Sequence, residues 1–141
     1  MTQVLRHCPV CDANDAQAHL EKAGLHLVRC RRCEMIYANP VPNEFASGEY
    51  YDQTGAGYYL APAKLESDFA DVRFDRELRL FRRHCTHGAI LDIGCSTGAF
   101  LYQLNRRFPA NYQLLGTDAC GPALAYAQSR GVPVTRGIFT E

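Results

Sequence analysis

Four of the seven cysteines fall into two matched pairs, Cys8-Pro9-Val10-Cys11 and Cys30-Arg31-Arg32-Cys33, with 18 residues between the pairs. Two residues between cysteines let both thiolates face one metal ion from a tight turn, and two such turns supply four sulfurs. Four thiolates close a tetrahedral shell and leave no position for water. The pattern therefore points to structural zinc and not to metal catalysis. A redox C-x-x-C would be one reactive pair beside a thioredoxin-like pattern, which two matched pairs do not fit. His7 and His26 stand near the pairs, but the four cysteines already fill the shell. Cys85, Cys95 and Cys120 are unpaired by spacing.

A second constellation is built from acids and glycines. The run Ile90-Leu91-Asp92-Ile93 is apolar with one carboxylate in it, and Gly94-Cys95-Ser96-Thr97-Gly98 follows. Glycine lets a backbone bend sharply and approach a ligand closely. A helix starting near Gly98 would aim its free N–H groups back at this loop. The middle and last glycines of a dinucleotide fingerprint are missing, and so is the lysine of a P-loop, which disfavours a pyrophosphate and a nucleoside triphosphate. Asp118 lies 20 residues after Gly98, placed to accept hydrogen bonds from ribose hydroxyls. One ribose acceptor beside one tight glycine turn suggests a mononucleoside.

These residues need elements to hold them. Ile90–Ile93 reads as a strand, and Phe100, Leu104 and Phe108 continue it at helical spacing. Tyr112–Thr117 reads as the second strand, ending at Asp118. Pro122 and Gly131 bracket a short helix, and Val132–Thr135 is the third strand, an edge because Pro133 lacks an N–H. Residues 67–84 are predicted as one helix, with Ser67 as N-cap, Asp68 and Asp71 in its first turn and Phe74, Leu78 and Phe81 on one face. Upstream, Leu25-His26-Leu27-Val28 reads as a strand between the two cysteine knuckles. Asn39-Pro40-Val41-Pro42-Asn43 is turn and extended composition, and the pairs Tyr50-Tyr51 and Tyr58-Tyr59 flank Gly55-Ala56-Gly57.

Leu91-Asp92-Ile93-Gly94-Cys95-Ser96-Thr97-Gly98 resembles the first motif of class I S-adenosylmethionine-dependent methyltransferases, and Leu115-Gly116-Thr117-Asp118-Ala119-Cys120-Gly121-Pro122 resembles their second. The resemblance covers about residues 88–141, and Ser96 stands where the family has its middle glycine. It implies that Asp92 sits under the amino group of the cofactor and that Gly94, Cys95, Ser96, Thr97 and Gly98 line its methionine part. Asp118 would hold the ribose, with Ala119 beside it among the cofactor-binding residues. Met35-Ile36-Tyr37-Ala38-Asn39-Pro40 and the tyrosine pairs that follow resemble the connection in zinc-ribbon-bearing methyltransferases, where this region lies over the cofactor pocket. The tyrosines could attract the sulfonium through their ring faces or simply pack a domain joint. On the second reading, Tyr50→Leu or Tyr58→Leu leaves cofactor affinity unchanged. A complete domain of this family has more strands than the three read here. The chain is therefore expected to be the amino-terminal, cofactor-binding part of a longer protein or a truncated reading frame, and no catalytic residue is assigned.

Fifteen basic and 15 acidic residues give a net charge of zero, which weighs against a large nucleic-acid footprint. Arg29, Arg31 and Arg32 beside the second knuckle read as a solvated face. No apolar stretch is long enough for a signal peptide or membrane span, so a cytoplasmic location is expected, with the cysteines as thiols or metal ligands. The resulting expectation is an α/β chain: a zinc ribbon over 1–40, a linker or lid over 41–65, and part of a Rossmann-like doubly wound sheet binding S-adenosylmethionine over 66–141. The expected activity is methyl transfer to a small molecule such as a sugar-nucleotide or another metabolite. The alternative is a non-catalytic zinc-ribbon binding module, one that could contact nucleic acid.

Overall fold

The computed structural model describes residues 2–137. The chain forms two compact units, Met1–Ser47 and Gly48–Glu141. It is a mixed α/β chain, and no helix among the described residues is long and apolar enough to cross a membrane.

In the first unit, β2 (Ala16–Lys22), β3 (Leu25–Cys30) and β4 (Ile36–Ala38) form an antiparallel sheet in that order. The β2–β3 hairpin turns on two residues, Ala23 and Gly24, both at positive φ (51° and 77°), the conformation whose twist matches paired strands. A short ribbon pairs β1 (Gln3–Val4) with β5 (Val41–Pro42), and the one-turn helix α1 (Asn43–Ala46) follows. The Asn39–Asn43 stretch, read as connecting chain, thus includes a strand of this unit. Its buried centre is small: Cys8, Cys30 and Tyr37 form one cluster, and Val41 is buried as well. The β2 strand is exposed along its whole length.

The second unit begins with a π-helical turn (Tyr51–Gly55) running into α2 (Ala56–Tyr59). Two further helices, α3 (Pro62–Phe69) and α4 (Asp75–His84), precede a parallel sheet of β6 (Gly88–Ile93), β7 (Tyr112–Asp118) and β8 (Val134–Arg136) in that order. The crossovers are α5 (Ala99–Arg107) and α6 (Gly121–Ser129). Period-two alternation divides the strands' side chains between the two faces of the sheet. Ile90 and Leu114 pack with Leu101, Ala127 and Val132 under the crossover helices, while Leu91, Ile93 and Leu115 stand exposed. Among the described residues β6 pairs with β7 alone.

The structure corrects the single helix expected over 67–84. It breaks at Ala70–Phe74: Ser67 lies inside α3 and is no cap, and α4 follows Phe74, a non-glycine residue at φ 67°. The reason is tertiary. Buried Gln103 of α5 donates to the carbonyls of Phe69 (3.3 Å) and Ala70 (3.0 Å), and Arg107 donates to those of Asp71 and Arg73. These donors satisfy carbonyls that a continuous helix would have used internally. The two pieces remain seated by aromatic contacts, Phe69 on Tyr102 and Tyr126, and Phe74 and Phe81 on Phe100. The third strand is also displaced, to Val134–Arg136, because Val132 turns inward and its N–H bonds the Ala127 carbonyl.

Replacing Gln103 with Leu removes both donations, although it also removes the buried, unpartnered Oε1. The expected net cost is about 2 kcal/mol. It should be read as a lower urea midpoint at unchanged slope.

Candidate metal centre and ligand cleft

The two cysteine knuckles are near copies of each other. The N–H of Asp12 donates to the Cys8 carbonyl (2.9 Å) as that of Glu34 donates to Cys30 (3.0 Å). The N–H of Cys8 donates to the Ala13 carbonyl (3.0 Å) as that of Cys30 donates to Met35 (2.9 Å). Asp12 and Glu34 both sit at positive φ (56° and 64°), the reversal that closes each turn. All four sulfurs lie within 4.8 Å of one another, with Cys8–Cys33 at 3.4 Å and Cys11–Cys30 at 3.6 Å. Sulfurs around a tetrahedral zinc at about 2.3 Å stand about 3.8 Å apart, so the donor set fits that ion. The N–H of Arg32 donates to Cys30 Sγ (3.4 Å), support of the kind that holds a thiolate ligand in place. His7 and His26 turn to Asp12 (3.1 Å) and Glu21 (3.5 Å) and are not in the cluster.

In the second unit a cleft opens at the carboxyl ends of β6 and β7, where open parallel sheets place their ligands. One lobe, about 300 Å³, is lined by Tyr51, Tyr59, Ile93, Gly94, Asp118 and Ala119, among others. A neighbouring lobe of about 240 Å³ includes Tyr59, Lys64, Asp68, Arg73, Asp92 and Gly94. Gly94 and Tyr59 line both lobes.

The loop between β6 and α5 is held from both sides. The N–H groups of Gly94 (2.8 Å) and Cys95 (3.1 Å) donate to the Thr117 carbonyl. Asp118 accepts the Ser96 N–H on Oδ2 (2.8 Å) and the Cys120 N–H on Oδ1 (2.8 Å). Ser96 adopts φ 50°, which costs a non-glycine residue about 1 kcal/mol. The bond to Asp118 offsets that strain. The two glycines have different reasons for being there. Gly94, at φ 79°, faces open space, so a ligand can come against its backbone. A Cβ on Gly98 (φ 70°) would meet Val132 at 3.0 Å and Ala127 at 3.2 Å, so this glycine seats α5 against the layer behind it. Thr97 and Cys95 are buried, and Cys95 Sγ lies where a Gly116 side chain would go.

Electrostatics single out one carboxylate and one thiol. Burial raises the Asp92 carboxyl above its ordinary value, and the Asp118 charge raises it further. Burial, with Asp92 and Asp118 adding to it, pushes the Cys95 thiol up to about 12, so it stays protonated and is no nucleophile. A cation between the two acids would relieve their repulsion. On the facing wall, Lys64 and Arg73 (3.9 Å) pair with nearly buried Asp68, and the Arg73 guanidinium lies 4.1 Å from the Phe74 ring centroid.

All eight cleft residues singled out from the sequence lie on the β6–α5 loop or at the ends of β6 and β7. Asp92, Gly94, Cys95, Ser96, Thr97, Asp118 and Ala119 line one lobe or the other, whereas Gly98 sits behind the loop. Sequence reasoning missed Lys64, Asp68 and Arg73. It also could not choose within the tyrosine pairs: Tyr51 and Tyr59 line the cleft, and Tyr58 is 64% exposed. Helical phase makes that choice, since Tyr51, Gly55 and Tyr59 recur every fourth residue.

No family model matches the chain, and no curated protein matches it. Among solved structures, phosphoethanolamine N-methyltransferase 2 of Haemonchus contortus, in complex with S-adenosyl-L-methionine, is similar at 21% identity with a TM-score of 0.47. The likeness covers 72% of this chain and 26% of that one, so the chain spans about a quarter of that enzyme's length.

Proposed function

We propose that the second unit binds S-adenosylmethionine in the cleft around Gly94 and forms the cofactor-binding part of a class I methyltransferase, with a Rossmann-like sheet. The observation that carries this reading is the pairing of two strand-end carboxylates, Asp92 and Asp118, on either side of an open, positive-φ glycine. Bound there, the cofactor supplies an electrophilic methyl group. Asp118 spends one acceptor position of each oxygen on the backbone and keeps the remaining lone pairs for ribose hydroxyls. Asp92 accepts the amino group, a cation that lowers the cost of its buried charge. Lys64 and Arg73, both paired with Asp68, line the lobe that would take the carboxylate end, and Tyr59 lines both lobes.

The methyl acceptor in this reading is a small molecule, a sugar-nucleotide or another metabolite. Two of the three arginines beside the second knuckle support this over nucleic-acid contact. Arg29 pairs with Glu34 (2.6 Å) and Arg31 with Asp15 (3.6 Å), leaving less free charge for phosphate. The first unit is proposed to be a zinc ribbon.

The test is calorimetric titration of the zinc-loaded chain with S-adenosylhomocysteine, alongside Asp118→Ala. Removing the carboxylate frees the Ser96 N–H and takes away the ribose acceptor, so affinity should fall at least about tenfold. A folded chain that takes up no ligand, or a variant that binds as tightly as wild type, would defeat the assignment.

A further inference from the structure

We infer that Asp52 is a positioning residue for the ligand cleft: its carboxylate latches the Tyr51–Tyr59 helical segment to the start of α6 and the end of β8. The inference rests on the nucleoside reading of that cleft. The α6 helix has Cys120 at its N-cap position and no side-chain cap of its own. Its first residue, Gly121, donates its N–H to Asp52 Oδ1 at 2.7 Å, across 69 positions of sequence. The other oxygen, Oδ2, takes the Arg136 guanidinium, across 84 positions. One side chain thus caps a helix in trans and ties three elements at one point.

What hangs on this point is the wall of the cleft. Asp52 lies in the π-helical turn, which runs without a break into α2 and ends at Tyr59. Tyr59 lines both lobes, and burial, followed by the Asp118 charge, raises its phenol above the ordinary value. Within the segment Gly55 is buried, and a Cβ there would meet the Tyr59 ring at 3.1 Å. The ring therefore packs down on its own helix and is placed by wherever that helix is held. The latch also reaches the far rim. Arg136 is the register partner of Asp118, and Gly137, the next residue, lines the same lobe as Asp118.

The test compares wild type, Asp52→Ala, Asp52→Asn and Arg136→Gln as whole zinc-loaded chains. Chymotryptic cleavage after Tyr51 and Tyr59, read by mass spectrometry, reports release of the segment without any ligand. Loss of a cap and a charged partner should speed cleavage about tenfold in Asp52→Ala. Asp52→Asn keeps an acceptor for Gly121 but loses the charge facing Arg136, so it and Arg136→Gln should give about threefold. The dissociation constant for S-adenosylhomocysteine should rise in the same order. Should Asp52→Ala fail to fold, the other two variants carry the comparison. Unchanged cleavage and affinity in folded variants would overturn the latch. A wild type that binds no S-adenosylhomocysteine, with cleavage still following this order, would overturn the nucleoside reading and support the latch.

Discussion

Stripping zinc with a chelator, or replacing Cys30 with Ser, should unfold the first unit outright. That unit has 47 residues, and among the described ones its buried hydrophobic side chains are Cys8, Cys30, Tyr37 and Val41. Every residue of its β2 strand is exposed, and two of its other strands have two residues each. A chain this short rarely buries enough apolar surface to offset the entropy of ordering. Two of these buried side chains are themselves cysteines of the cluster, so the metal centre lies within the core. Structural zinc contributes about 10–16 kcal/mol at neutral pH, far above what this packing can replace. Elemental analysis should find one zinc per chain. On chelation, amide signals from 2–47 should collapse to random-coil positions while those of the second unit keep their dispersion, since its core is Leu101, Ala127 and Val132. A metal-free chain whose first-unit signals stay dispersed would remove zinc from the account.

The elements that were legible in the sequence are those whose causes are local. The β6 and β7 strands announce themselves as apolar runs bounded by glycine or ended by an acid, and the knuckles by cysteine spacing alone. The α3–α4 break was hidden because its causes, Gln103 and Arg107, arrive from more than 30 residues away. Without them Ser67–His84 has a sound helical pattern, and nothing in the window argues for Phe74 at positive φ. Asp52 was hidden for the same reason on a larger scale, for its partners belong to α6 and β8. Ser96 is a middle case. Its mismatch with the glycine of the motif it resembles is visible in sequence, but not that Asp118 accepts its N–H and supports its positive-φ backbone.

Asp92→Asn should make the unliganded second unit more stable and the liganded one weaker. The Asp92 carboxyl is raised above its ordinary 3.8 by burial and by Asp118. Below pH 3.8 the group is protonated folded and unfolded alike, and it costs nothing. As pH rises through the raised folded value, the folded state must accept a buried charge that the unfolded chain carries freely in water. The folded state therefore binds the extra proton, and stability is lost with rising pH. Asparagine carries no charge, so at pH 7 the variant should be the more stable of the two, an advantage that shrinks as the pH is lowered. Ligand binding should run the opposite way. The carboxylate that burdens the empty cleft is the partner an ammonium needs, and losing a buried charge pair costs about 2–5 kcal/mol, or at least about thirtyfold in affinity. Wild-type affinity for S-adenosylhomocysteine should accordingly rise with pH across the window where stability falls, and the variant's should stay flat. Urea unfolding followed on second-unit amide signals from pH 4.5 to 8 reads the first curve, and titration at the same pH values reads the second. Parallel stability curves for the two proteins would mean that the Asp92 carboxyl is not raised in the folded state, and parallel affinity curves that the cation of the ligand sits elsewhere.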